Sequence, residues 1–139
     1  VKEAMAAKKY AFAADYIRLY ALYTEGGIYF DSDVEVFKPF DSYLNNQFFS
    51  GTEPYIINNE IYYDIECAIM GSEKGHPFLK EILDYYATIH FQPNNQETIC
   101  HIAARLLEKY GYTSENKLYN LIDIGTTKLE IVDKREEDV

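Results

Sequence analysis

The chain has 139 residues, which suits a single domain, and 47% of them are hydrophobic, enough for an ordinary core. Its formal net charge is −10, from 23 acidic residues against 13 lysines and arginines. Such a surface repels phosphate backbones, so we expect no nucleic-acid partner.

No apolar run approaches the roughly 20 residues of a membrane span, and no signal peptide opens the sequence. The two cysteines, Cys67 and Cys100, fit free thiols in a reducing compartment, although one bridge between them stays open. We therefore expect a cytoplasmic protein, with peripheral association at the inner face of the membrane left open. Because the first residue is Val1 rather than Met, we also expect an upstream segment.

The first half of the chain predicts one helix followed by short strands. Residues 2–23 contain no glycine or proline and are typical of a helix, which Gly26 would end as a left-handed cap beside Gly27. A stripe of small residues would let this helix lie close to a sheet: Ala7, Ala11, Ala14 and Ala21. Short strands are predicted over four stretches: 28–30, 34–37, 48–49 and 55–57.

The second half predicts a strand over residues 65–70 and a helix from Pro77 to about residue 89. A further helix, capped by Asn94 or Asn95, would run to about residue 110 and end at Gly111. A last strand is predicted over residues 128–132. Alternating strands and helices favour an α/β sandwich, with one domain over residues 1–132 and a polar tail over 133–139.

The acidic pair Asp31-Ser32-Asp33 is the strongest chemical signal in the sequence. It follows the apolar run after Gly27, and on a strand the two carboxylates would point to the same side. Two acids aimed together repel each other unless a cation, an arginine or a shared proton stabilises them. The pair is therefore a candidate site for a divalent metal.

Asp15 and Arg18 lie three residues apart on the predicted helix, hence on one of its faces. Only a short Gly-Gly turn separates this helix from the acidic pair. Arg18 could offer its planar guanidinium to a phosphate or to paired hydroxyls, and Asp15 could accept hydrogen bonds from hydroxyls. The alternative is an ordinary ion pair on the helix surface.

Other motifs carry less information. An EF-hand loop starting at Asp31 would need Gly and Glu where Val36 and Ser42 stand, and the chain is too short for a barrel glycosidase of about 250 residues. His76 is interpreted as a helix entry and Asn58-Asn59 as a turn. Three glutamates beside strands are expected mainly at the solvated surface, with a cleft as the alternative: Glu53, Glu60 and Glu66.

The run from Ala14 to Asp33 combines Asp-x-x-Arg, Gly-Gly and Asp-x-Asp in this order. It resembles the sugar-binding region of glycosyltransferases with a DxD motif. It is most similar to glycosyltransferase family 32, which includes fungal α-mannosyltransferases, bacterial capsular-polysaccharide enzymes and relatives of clostridial glucosylating toxins. The likeness continues to Phe40 and, more loosely, from Gly71 to Leu79.

The resemblance implies a GT-A fold, a mixed sheet flanked by helices, here without the family's N-terminal strand–helix segment. It implies a nucleotide-diphospho-sugar donor, a hexose transferred with retention to a glycan or polysaccharide acceptor, and Mn²⁺ or Mg²⁺. Asp15 and Arg18 would contact the transferred sugar. Asp31 would lie by the ribose and sugar and reach the metal directly or through water, and Asp33 would be its direct ligand.

The sequence departs from the family pattern in two further places. Glu66-Cys67-Ala68 stands where relatives often have an Asn, and no family residues are recognisable after Gly125. No catalytic base or nucleophile can be assigned. Two hypotheses follow: a metal-dependent retaining transferase of polysaccharide biosynthesis, or a non-catalytic sugar- or partner-binding module on a truncated transferase fold.

Overall fold

The computed structural model describes residues 1–113, 120–124 and 127–133. Its helices and strands follow in chain order: α1 (Lys2–Ala6), α2 (Tyr10–Glu25), β1 (Gly27–Phe30), β2 (Phe48–Ile57), β3 (Glu60–Ser72), α3 (Pro77–Thr88), α4 (Ile99–Leu107), β4 (Asn120–Ile124) and β5 (Thr127–Asp133). Short 3₁₀ turns lie at Asp41–Tyr43 and Glu108–Tyr110.

The strands form one five-stranded sheet in the order β1-β3-β2-β5-β4. Strand β3 is antiparallel to both β1 and β2, β4 is antiparallel to β5, and β2 and β5 run parallel. The prediction of an α/β fold with a mixed sheet is therefore confirmed, while the GT-A core stays a prediction. Strand β4 was not predicted.

Strands β2 and β3 form a long hairpin. The two short strands predicted for its first arm are confirmed as strand, but the interruption predicted between them is wrong, since β2 runs through Gly51 and Pro54. The predicted turn at Asn58-Asn59 is confirmed, and both residues have positive φ, 51° and 66°. A two-residue loop of this kind matches the right-handed twist of its strands, which explains why pairing continues to the turn.

A bulge in β3 bends the centre of the sheet. Ser50 pairs with Met70 but the next residue, Gly51, pairs with Glu66, so residues 67–69 leave the ladder with β2. The Ser50 hydroxyl oxygen spans this gap, 2.5 Å from the carbonyl oxygen of Glu66 and 3.0 Å from that of Ile69. The bulged residues turn toward β1 and α2.

The single helix predicted for residues 2–23 is wrong, because the chain breaks between α1 and α2. Lys8 adopts a left-handed φ of 56°, and the backbone N–H groups of residues 7–9 bond back to α1. No glycine or proline marks this break. The alanine stripe is also wrong: Ala11 and Ala21 are exposed, and α2 buries another set, Ala13, Asp15, Leu19 and Leu22.

Helix α3 begins at Pro77 as predicted. His76 caps it, because its Nδ1 accepts a hydrogen bond from the Phe78 N–H (3.1 Å), and burial lowers the pKa of His76 to about 4. Helix α4 begins later than predicted, since Thr98 rather than Asn94 or Asn95 supplies the cap. It ends through a 3₁₀ turn at Gly111, whose φ of 100° favours glycine.

Two other predictions need correction. Residues 34–37 are not a strand, since the chain turns after Phe30 and leaves the sheet. Strand β5 confirms the last predicted strand but includes Asp133, which had been placed in the polar tail. Residues 134–139 of that tail lie outside the described part of the chain.

The core lies between one face of the sheet and helices α2, α3 and α4. These buried residues form one cluster: Leu19, Leu22, Phe48, Ile65, Cys67, Met70, Phe78, Leu79, Ile82, Leu83, Ile99, Ile102, Ala103, Ala104, Leu107 and Tyr112. Because side chains alternate along a strand, Phe49, Glu66 and Ile69 face the other side of the sheet.

We predict that Gly71→Ala destabilises the fold. Phe49 lies opposite Gly71 in the β2–β3 ladder, and a Cβ at Gly71 would stand 2.0 Å from Cε1 of that ring. Overpacking of this kind costs about 1–3 kcal/mol, measurable by urea unfolding. In the double variant with Phe49→Leu, Gly71→Ala should cost less than it does alone. Equal stability of Gly71→Ala and the unmodified chain would contradict this packing.

Candidate functional site

Arg18 joins three elements at one edge of the core. Its Nη2 lies 3.2 Å from Asp15 Oδ1 on the same helix, and its Nη1 lies 3.2 Å from Asp31 Oδ1, just past the end of β1. The same Nη1 donates a hydrogen bond of 2.8 Å to the carbonyl oxygen of Cys67 in the β3 bulge. The sequence pattern thus predicted the proximity of Asp15, Arg18 and Asp31, although not the backbone contact.

Tyr29 completes this cluster. Its hydroxyl donates to Asp31 Oδ1 at 2.6 Å, and the Arg18 guanidinium carbon lies 4.6 Å from the centre of its ring. The backbone N–H of Asp31 also donates to Ala68 O at 2.8 Å, which extends the β1–β3 ladder by one residue. Side-chain and backbone contacts therefore both fix the position of Asp31.

Burial changes the acid–base behaviour of the cluster. Burial raises the pKa of Asp15 to about 6, against a usual 3.8; the Arg18 charge lowers it and the Asp31 charge raises it further. Burial, and then the hydrogen bond to Asp31, raise the pKa of Tyr29. A thiol hydrogen bond with Cys100, followed by burial, raises the pKa of Cys67. Both cysteines are free thiols, as expected.

Asp33 does not share the position of Asp31. The expectation that a strand points both carboxylates to one side is wrong, because β1 ends at Phe30 and the Val34 N–H bonds to Asp31 O (3.1 Å) in a turn. Asp33 is exposed, and within the described ranges its side chain has no hydrogen-bond or ion-pair partner. Asp31 therefore lies in the arginine cluster and Asp33 lies outside it.

Two cavities flank the middle of β3. The first, of about 340 Å³, lies between α2, the start of α4 and the bulge, and is lined by residues that include Asp15, Arg18, Asp31 and Glu66. The second, of about 290 Å³, is lined by residues that include Asp33, Phe40, Phe49 and Glu66. We call them the arginine cavity and the aromatic cavity.

Glu66 is a site residue that sequence reasoning named only as an alternative cleft residue. It was expected mainly at the surface, but only 8% of it is exposed and it lines both cavities. Its placement depends on the β3 bulge, which no local sequence signal marks. The alternation Ile65-Glu66-Cys67, a polar residue between two core residues, was the one available hint that Glu66 faces away from the helices.

The residues present fit a divalent cation. In the parts of the chain that the structure describes, no group of three or more His, Cys, Asp or Glu side chains is placed to hold a metal. Mg²⁺, however, commonly takes one or two carboxylates and completes its shell with water and substrate phosphates. Asp33 is an exposed carboxylate, and both side-chain contacts of Asp31 are to Oδ1 alone.

One comparison with known proteins found a similarity in this part of the sequence. Residues 1–50 match the family model described as a glycosyltransferase sugar-binding region containing a DXD motif. The match suggests a transferase and glycosyl transfer in general. Neither a curated protein nor a solved structure matches the chain. The matched DXD region contains Asp15, Arg18, Asp31 and Asp33, and it ends inside β2.

The family match is coarser than the expectations drawn from the sequence. Membership of family 32 and the likeness to capsular-polysaccharide enzymes and α-mannosyltransferases stay predictions. In the described ranges, every helix is too short or too polar to cross a membrane.

We predict that Asp15 makes stability fall as pH rises. Because its folded pKa of about 6 exceeds the unfolded value near 3.8, the folded chain holds the proton more tightly. This contribution is complete below about pH 4 and lost above pH 6, and at about 1.4 kcal/mol per pKa unit it is on the order of 2–3 kcal/mol.

The measurement is urea unfolding of the unmodified chain and of Asp15→Asn at pH 4 and pH 7. The stability of the unmodified chain relative to Asp15→Asn should be lower at pH 7 than at pH 4. A difference that stays constant or grows with pH would contradict the raised pKa.

Arg18→Lys should also destabilise the fold, because a single ammonium group cannot reach two carboxylates and a carbonyl in a planar fork. We expect a loss of about 1–3 kcal/mol in urea unfolding. The matched control is Arg105→Lys, since Arg105 binds Glu97 through two nitrogens but its side chain is 40% exposed. That loss should stay below about 1 kcal/mol, and equal losses would contradict a special role for Arg18.

Proposed function

We propose that the chain is the donor-binding core of a metal-dependent glycosyltransferase. It would move a hexose, with retention, from a nucleotide-diphospho-sugar to a glycan or polysaccharide acceptor. The observation that carries the proposal is the Asp15–Arg18–Asp31 cluster, which lies within the matched DXD region and opens onto the arginine cavity. A cytoplasmic location, free or at the inner face of the membrane, belongs to the same proposal.

Asp15 and Asp31 suit a sugar, because ionised carboxylates accept hydrogen bonds from hydroxyl groups. Arg18 keeps both carboxylates in place, so their oxygens are oriented before a ligand arrives. Arg18 would also add fixed positive charge near the donor, and preorganised groups of this kind are typically worth about 3–4 kcal/mol in catalysis. The cluster would thus bind the transferred sugar and assist the departure of the diphosphate from it.

Asp33 and Asp31 would hold Mn²⁺ or Mg²⁺. When bound, such an ion supplies positive charge to the diphosphate leaving group. In the overall reaction the bond between the anomeric carbon and the diphosphate breaks, and its electron pair stays on the diphosphate. An acceptor hydroxyl oxygen then bonds to that carbon, and its proton passes to the departing diphosphate.

A thermal unfolding assay tests donor binding. Unfolding temperatures of the chain would be measured with uridine and guanosine diphosphate sugars, each with and without Mn²⁺. We expect at least one nucleotide sugar to raise the unfolding temperature by several degrees with Mn²⁺ and much less without it. A ligand at about 100 times its Kd adds about 2.7 kcal/mol to stability.

Asp33→Asn should abolish the Mn²⁺-dependent rise, whereas Asp41→Asn, an exposed aspartate in the following 3₁₀ turn, should keep it. If no nucleotide sugar stabilises the chain, or if Asp33→Asn responds as the unmodified chain does, the proposal fails. Mn²⁺-dependent donor binding without transfer to any glycan would favour the non-catalytic module instead.

A further inference from the structure

The aromatic cavity lies on the face of the sheet away from the three core helices. Segment 33–43 crosses over this face, and the cavity opens between that segment and strands β2 and β3. Its volume of about 290 Å³ is at the lower end for ligand sites, which run from about 300 to 1,000 Å³. The space therefore suits one small ring rather than an extended chain.

One wall of this cavity is a cluster of three aromatic rings, in which Phe49 lies nearly parallel to two neighbours that are tilted by 49° to each other. Phe49 stacks on Phe40 at 5.9 Å with an interplanar angle of 21°, and on Tyr43 at 5.5 Å with an angle of 28°. Phe30 supports Phe40 from outside at 5.4 Å. Flat aromatic faces of this kind pack well against the apolar C–H face of a pyranose.

The charged lining is entirely acidic. Asp33, Glu35 and Glu66 line the cavity, and none of its lining residues in the described ranges is a lysine, arginine or histidine. Carboxylates accept hydrogen bonds from hydroxyl groups but repel phosphates and other carboxylates. Without a bound cation, this cavity therefore suits a neutral, hydroxyl-rich ligand.

This cavity and the arginine cavity meet at Glu66 and at the turn from Asp31 to Asp33. Glu66 lines both of them. Asp31 lines one and Asp33 the other, with only Ser32 between them in the turn. Glu66 and the turn from Asp31 to Asp33 would thus separate a ligand in the aromatic cavity from a sugar held by Asp15 and Asp31.

We propose that the aromatic cavity binds a neutral pyranose of the acceptor glycan. The ring stacks on Phe40, and its hydroxyls donate to the carboxylates of Glu35 and Glu66. The inference rests on the proposed function, in which the arginine cavity binds the sugar that is transferred to this acceptor. It adds a substrate class: the acceptor is a neutral glycan and not a uronic-acid polymer.

The test measures binding of simple glycosides to the chain by saturation-transfer NMR and calorimetry, with neither nucleotide sugar nor metal present. The probes are the methyl glycosides of glucose, galactose and mannose, together with methyl glucuronide. At least one neutral glycoside should bind, and methyl glucuronide should bind on the order of tenfold more weakly. Phe40→Leu should raise the Kd of the neutral glycoside about tenfold, because aromatic stacking is lost.

The matched control is Phe91→Leu, a half-buried phenylalanine that packs on Phe12 at 5.5 Å outside the aromatic cavity. It should leave the Kd of the glycoside unchanged. Glu35→Gln removes a negative charge without disturbing the core, since Glu35 is exposed. It should reduce the difference in Kd between the neutral glycoside and methyl glucuronide.

The proposal is overturned if no neutral glycoside binds, if the glucuronide binds as well as the neutral compounds, or if Phe40→Leu and Phe91→Leu act alike. The Mn²⁺-dependent response to nucleotide sugars depends on Asp33 and the arginine cavity rather than on the Phe40 ring, and it should survive in Phe40→Leu. Glycoside binding without a donor response would overturn the proposed transferase and keep the sugar site. A donor response without glycoside binding would overturn the sugar site and keep the proposed transferase.

Discussion

The buried guanidinium of Arg18 holds this end of the molecule together. It lies among two carboxylates and a backbone carbonyl, and these belong to a helix, to the end of an edge strand and to the bulge of the central hairpin. A buried ion pair is seldom a net source of stability, because desolvation offsets much of the attraction. Its effect here is geometric: it fixes how α2 meets the sheet.

The bulge in β3 makes this arrangement possible. Within the bulge, the carbonyl of Cys67 accepts the hydrogen bond from Arg18, and Ser50 holds the two ends of the gap together. The same displacement leaves Glu66 between the two cavities. One irregularity of the backbone therefore serves both the arginine cluster and the wall beside it.

Local rules predicted the features that depend on near neighbours. Pro77 and Gly111 bounded helices, Asn58-Asn59 formed the turn, and the three-residue spacing brought Asp15 and Arg18 together. Such signals depend on residues a few positions apart, so they can be interpreted without knowing which distant segments pair with each other.

Features set by pairing register could not be predicted in the same way. The separation of Asp31 from Asp33 depends on where β1 stops pairing with β3, and the burial of Glu66 depends on the bulge. The break at Lys8 was also missed, because high helix propensity on both sides hides a single left-handed residue. In each case tertiary contacts outweighed the local preference.

The parallel pairing of β2 with β5 has a consequence for the order of folding. Phe48 meets Leu129 across about 80 residues of intervening chain, and contacts of such long range form slowly because the loop must close first. The β2–β3 hairpin needs only a two-residue loop, and α2, β1 and β3 all lie between residues 10 and 72. The arginine cluster can therefore assemble early, before β5 covers the far edge of β2, and that edge stays open to other strands in the meantime.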